Sequence, residues 1–150
     1  MTVVPDLELP MTGDQAFNTA ALRGTPYVLF FYPKDNTPGC TTESGDFRDR
    51  HEAFLAAGCR LYGVSRDGMK SHENFKAKLA MPFELVSDPD ETLCNAFGVM
   101  KMKNMYGKQV RGVERSTFVV DGEGQVVKEW RGLKVPGHVD DVLAFVQTMK

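Results

Sequence analysis

The chain has 150 residues, 42% of them hydrophobic and 25% charged, the profile of one ordinary globular domain rather than of a disordered chain or a membrane protein. Eighteen basic against twenty acidic side chains leave a net charge of −2, so no basic nucleic-acid face is expected. The longest apolar run, Tyr27 to Tyr32, is far short of the ~20 residues that span a bilayer.

The first 25 residues, rich in Pro, Gly, Thr and Asp, read as an irregular or short-stranded lead-in. Tyr27 to Tyr32 is a continuous β-branched and aromatic run, which predicts a strand buried on both faces. It stops at Pro33, and the loop Pro33-Lys34-Asp35-Asn36-Thr37-Pro38-Gly39 leads into a helix from Cys40. In that helix Phe47, Phe54 and Leu55 recur at helical spacing, and Gly58 supplies the stop. A strand over Arg60 to Ser65, a helix over Met69 to Ala80 and a strand over Glu84 to Ser87 follow. The turn-and-cap sequence Ser87-Asp88-Pro89-Asp90-Glu91 opens a brief helix to Phe97. Lys101 to Met105 reads as a mobile, solvated loop. Ser116 to Asp121 and Gln125 to Trp130, joined through Gly122-Glu123-Gly124, predict a β-hairpin. The last helix, from Pro136 to Met149, carries Val139, Val142, Leu143 and Val146 on one face. This order predicts an α/β class with a mixed central β-sheet and helices on both faces, in a single domain over residues 1–150.

Three cysteines, Cys40, Cys59 and Cys94, form an odd set without paired spacing, which argues against a secreted disulfide scaffold. Met1 to Asp6 has neither a basic nor an apolar stretch of the kind that begins a secretion signal, so a cytoplasmic protein is expected. His51, His72 and His138 share no metal-ligand spacing with any cysteine and read as surface or packing residues. Asp121-Gly122-Glu123-Gly124 lacks the strand-to-helix context of a phosphate loop. Neither a cofactor nor a metal is implied.

Chemistry concentrates at Cys40, where a buried strand hands over to a helix. First-turn amides have no intrahelical acceptor, and the helix dipole favours negative charge there. A thiol so placed should lose its proton more readily than an ordinary cysteine. A small, inert core cysteine is the alternative.

Pro33, Thr37 and Cys40 match the Pro-x-x-x-Thr-x-x-Cys signature of the peroxiredoxins, and the segment from Phe31 to Glu43 resembles the peroxiredoxin Q, or bacterioferritin comigratory protein, branch. Gly63-Val64-Ser65, Ser87-Asp88-Pro89 and Arg115 to Asp121 extend the likeness toward the last helix. The resemblance implies a thioredoxin-like fold and a thiol peroxidase. Its substrates would be hydrogen peroxide and organic hydroperoxides, and its reductant thioredoxin, glutaredoxin or a small thiol. Cys40 would attack the O–O bond, Thr37 would bond the thiolate and the peroxide, and Pro33 would shield the site. Arg115 would supply a cation, because in this fold the strand from Ser116 runs antiparallel to the one ending at Tyr32. That arrangement brings the start of one to the end of the other. Glu43, one turn after Cys40, resembles the carboxylate that orients this arginine.

One departure stands out. Where many members of the branch carry a resolving cysteine five residues after the reactive one, this chain has Gly45. A helix from Cys40 to Ala57 would be ~27 Å long, so Cys59 should lie at its far end, beyond the ~7 Å between Cα atoms that a disulfide allows. Cys94 is left as the one candidate resolving thiol, with a buried structural role as its alternative. One-cysteine recycling by an external thiol is therefore expected. Two rivals are a thioredoxin-type oxidoreductase, which lacks its second cysteine here because Thr41, Thr42 and Glu43 follow Cys40, and a non-catalytic redox sensor. No large apolar stripe marks an interface, so a monomer is expected, with a dimer as the alternative.

Overall fold

A computed structural model describes residues 3–149. The elements in chain order are β1 (Glu8–Met11), β2 (Gln15–Asn18), β3 (Tyr27–Phe31), α1 (Pro38–Asp49), α2 (His51–Ala56), β4 (Arg60–Ser65) and α3 (Met69–Leu79). They continue with β5 (Glu84–Ser87), α4 (Thr92–Ala96), β6 (Met100–Met105), β7 (Lys108–Val113), β8 (Ser116–Val120), β9 (Val126–Arg131) and α5 (His138–Thr148). Seven strands form one mixed sheet in the order β2-β1-β5-β4-β3-β8-β9. β3 runs parallel to β4 and antiparallel to β8, and it lies near the middle, which is why its five residues are all buried.

Successive side chains of β3 point to opposite faces, and each face has its own core. Val28, Phe30 and Tyr32 pack with Cys40, Phe47, Phe54, Phe75 and the Val139, Val142 and Val146 stripe of α5. Leu29 and Phe31 pack with Phe118, Leu93, Cys94 and Phe97 on the other side. Helices flank both faces as expected, but unevenly: α1, α2, α3 and α5 cover one, and short α4 the other. Among the described residues no helix is long and apolar enough to cross a membrane.

Two expectations need correction. The helix after the Pro33–Gly39 loop breaks at Arg50 (φ −112°, ψ 10°) into α1 and α2. Arg50 there forms an ion pair with Asp140 of α5, a contact that local periodicity does not reveal. Lys101 to Met105, expected to be a loop, is strand β6, paired with β7 from Met100↔Val113 to Met105↔Lys108 in a separate two-stranded sheet. Tyr106 and Gly107 both have positive φ (52° and 78°), the backbone of a two-residue hairpin turn whose twist matches that of its strands.

Candidate active site

The β3–β8 register pairs Phe31 with Ser116, so the end of β3 and the start of β8 meet at one edge of the sheet. The loop bearing Pro33 and Thr37 leaves from that edge, and Arg115 arrives there one residue before β8. Thr37 is the N-cap of α1, in extended conformation, and Pro38 occupies the first helical position, where its missing N–H and fixed φ cost nothing. The Thr41 amide makes the first intrahelical bond, to Thr37 O at 2.9 Å. The amides of Gly39 and Cys40 are therefore left without an intrahelical acceptor, beside a sulfur that is itself fully buried.

Arg115 closes the site from across the sheet edge. Its Nη2 donates to Cys40 Sγ at 3.3 Å, and its Nη1 donates to Glu43 Oε1 at 2.8 Å. Gly39 makes this approach feasible: a Cβ there would sit 3.1 Å from Arg115 Nη2, tighter than ordinary contact. Burial works against the charge on Arg115, but Glu43 and the Cys40 sulfur outweigh it and push the group above the ordinary arginine value. Glu43 has no solvent exposure, and burial raises its carboxyl to about 7 despite the opposing pull of Arg115. Its Oε2 has no hydrogen-bond partner among the described residues. A guanidinium thus bridges a fully buried sulfur and a fully buried carboxyl group, which directs donors to where charge would develop on an attacked oxygen.

Thr37 lies at the expected place but makes a different bond. Its hydroxyl donates to Lys34 O at 2.8 Å, which ties the loop to itself. Pro33 is half-buried at the loop's start. Lys103 is a residue the sequence reading missed. It is half-buried, bonds Val113 O, and is driven below the usual lysine value by burial and then by the charge of Arg115. His138, read from the sequence as a surface or packing residue, is buried against Phe47 and Trp130. Its Nε2 lies 2.8 Å from Thr117 Oγ1, and burial lowers it to about 4, with Asp141 opposing and Arg115 reinforcing the shift.

The other cysteines lie apart. Cys59 shares the core of Cys40 but sits beyond the end of α2, and burial pushes its thiol up to about 12. Cys94 belongs to the core on the opposite face of the sheet. Its amide donates to Asp88 Oδ2 at 2.8 Å, and burial, then Asp88, push its thiol well above the ordinary range. His51 is half-buried against the Phe83 ring, whereas His72 is fully buried with Asp35 and Asp67, an arrangement no spacing announced.

Residues 2–129 match the AhpC/TSA family. The chain belongs to that family. It is a thiol-dependent peroxidase, a peroxiredoxin, with the thioredoxin-like fold. A peroxiredoxin Bcp of Xanthomonas campestris is 56% identical over 139 residues, covering 93% of this chain and 87% of that one. A peroxiredoxin Bcp of Bacillus subtilis is 47% identical over 146 residues, covering 97% and 91%. A solved structure of the Xanthomonas bacterioferritin comigratory protein, described for its alkyl peroxide reduction, superposes with a TM-score of 0.91 at 53% identity, over 95% of this chain and 91% of that one.

Proposed function

We propose that Cys40 is the peroxidatic nucleophile, reducing hydrogen peroxide and organic hydroperoxides in one-cysteine fashion. The observation that carries this reading is the Arg115 guanidinium 3.3 Å from a fully buried sulfur at the first turn of α1. The Cys40 thiolate attacks the terminal peroxide oxygen. An S–O bond forms, the O–O bond breaks, and the departing oxygen takes a proton and leaves as water or alcohol. Arg115 and the free amides of Gly39 and Cys40 stabilise the charge passing from sulfur to oxygen. Because the Thr37 hydroxyl already donates to Lys34 O, it would meet a hydroperoxide as an acceptor, orienting the O–H. Glu43 holds Arg115 in place, and Pro33 walls the loop.

An external thiol then attacks the sulfenic acid, releasing water and leaving a mixed disulfide. A second thiol group releases Cys40 as the thiolate. Support for an external reductant comes from the positions of Cys59 and Cys94: one lies past the far end of α2, the other across the sheet. Thioredoxin, glutaredoxin or a small thiol fits this role. Three unpaired, buried thiols fit a reducing cytoplasm, and the protein is read as a monomer. The test is peroxide consumption under excess dithiothreitol, repeated with thioredoxin and with glutathione plus glutaredoxin. Steady turnover that survives in Cys59→Ser and Cys94→Ser supports the reading. Consumption of a single equivalent would instead make Cys40 a sensor.

A further inference from the structure

Cys40 has no solvent-exposed surface, yet a reducing thiol larger than a peroxide must reach its sulfur. The loop before α1 therefore has to hold the site together for one step and give way in the other. What holds it is a cluster outside the reacting atoms. Asp35, in the middle of that loop, is buried, and its carboxylate accepts from Tyr32 Oη (2.6 Å) and Ser71 Oγ (2.9 Å) and faces His72 Nδ1 at 2.7 Å. The other ring nitrogen of His72 lies 2.9 Å from Val86 O, which can only accept, so Nε2 carries a proton. Through the Nδ1 contact the imidazole thus ties the loop acid to α3. Burial, and next the charge of Asp35, keep the Tyr32 hydroxyl protonated and therefore donating.

The backbone is tied as well. The Asp35 amide donates to Asp67 Oδ2 at 2.8 Å, and Asp67 is held in turn by Ser65 Oγ and, through its carbonyl, by Ser87 Oγ. Directly after Asp35 comes Asn36 with φ 65°, whose side chain accepts from Lys78 of α3, and then Thr37, the cap of α1. The last fixed point before the left-handed turn into the reactive helix is thus a buried acid clamped by the first turn of α3 and by the end of β3.

We propose that Asp35 is a positioning residue. Paired with His72, it latches the Pro33–Thr37 loop against α3 and so sets how far Cys40 is kept assembled for peroxide or released toward a reducing thiol. The assignment rests on Cys40 being the nucleophile. It touches no reacting atom, so it predicts opposite changes in two reactions of the same sulfur. Loosening the latch misaligns Cys40 from Arg115 and slows oxidation, while exposing the sulfur to bulkier reagents.

Stopped-flow oxidation by hydrogen peroxide and iodoacetamide alkylation of Cys40, followed by peptide mapping, would be measured on folded wild type, Asp35→Asn and Ser71→Ala. Asp35→Asn should be oxidised about tenfold more slowly, as expected for a slight misplacement of a reacting group. Its Cys40 should be alkylated about threefold faster, because local opening becomes more frequent. Ser71→Ala, which removes one donor and leaves the pair intact, should show the same signs at smaller size. It decides the matter if Asp35→Asn does not fold. Rates within twofold of wild type in both reactions, or a parallel fall in both, would overturn the latch. A wild-type Cys40 that peroxide does not oxidise would sink the peroxidase reading instead, and the alkylation comparison would still judge the latch.

Discussion

Cys40 and Cys94 are equally hidden from solvent, but the central sheet separates them and their charged neighbours have opposite signs. Cys40 sits in the first turn of α1 with the Arg115 guanidinium at 3.3 Å. Cys94 lies in α4 with the Asp88 carboxylate against its amide and its thiol pushed well up. Burial by itself disfavours the charged form of a thiol, as Cys94 shows. The difference lies in what faces the sulfur: a cation held by a second buried charge on one side, and an anion on the other. On the proposed assignment of Cys40, reactivity is a property of one sheet edge, the one where β3 ends and β8 begins, rather than of the buried cysteine as a residue type.

The bluntest way to break that comparison is to remove each sulfur. Cys40→Ser should abolish peroxide turnover with the fold retained, because a hydroxyl cannot supply a comparable nucleophile near neutral pH. Turnover above a few per cent of wild type, in a coupled peroxide assay, would move the nucleophile to another residue.

Next in size is the cation. Arg115→Ala should cost roughly 2–4 kcal/mol in the peroxide step, the range for removing one preorganised donor, or about 30- to 1000-fold in rate. Stopped-flow rates within about threefold of wild type correspond to less than 1 kcal/mol and would deny Arg115 this role.

Glu43→Gln sharpens the same side at smaller size. The side-chain amide would still accept from Arg115 but could not ionise, so a loss of up to about tenfold in rate is expected. Any inflection of the rate near pH 7 that comes from Glu43 should vanish. Stability gives an independent reading. Burial raises Glu43 from 4.5 to about 7, so between those values the folded chain holds a proton that the unfolded chain has released. That contribution is present at low pH and is lost as pH rises through the window, by about 3 kcal/mol if the shift is fully expressed. His138 runs the other way: burial lowers it from 6.5 to about 4, so its contribution is lost as pH falls from 6.5 toward 4. Urea unfolding at pH 5 and pH 8 separates the two. The wild type should lose more stability than Glu43→Gln on going from pH 5 to pH 8, and equal changes would contradict the buried, strained carboxylate.

Much of this is legible in the amino-acid sequence. The unbroken run Tyr27 to Tyr32 could only be a central strand, and the antiparallel relation that the family resemblance implied for the strand from Ser116 was enough to carry Arg115 across 75 residues to Cys40. Features fixed by tertiary contacts were not legible. The break at Arg50 depends on Asp140 of α5, and the β6–β7 hairpin is exposed over most of its length, so its strands lack the buried-exposed alternation that advertises a strand. The pairing of Asp35 with His72 spans 37 residues and crosses α1, α2 and β4, and nothing in the spacing of either residue foretells it. Lys103 was hidden for the same reason as its hairpin.

The smallest expected effect belongs to Cys94, and it tests the comparison most directly. If the sheet truly isolates the two sulfurs, Cys94→Ser should turn over peroxide with a small thiol at close to the wild-type rate per folded molecule. Serine is similar in size, and its hydroxyl can meet Asp88, so the core beside Leu93 and Phe97 should survive the change. One equivalent of hydrogen peroxide should leave wild-type Cys40 as a sulfenic acid that a dimedone-type probe tags, and excess peroxide should carry it on to sulfinic acid for want of a nearby thiol. To form a Cys40–Cys94 disulfide, the Cα atoms would have to come within ~7 Å, which requires α1 or α4 to leave its core and pass the sheet edge. Peptide mapping reads the outcome. A dominant Cys40–Cys94 disulfide with no tagged Cys40 would mean that the two faces exchange residues during turnover, and that Cys94 resolves the sulfenic acid.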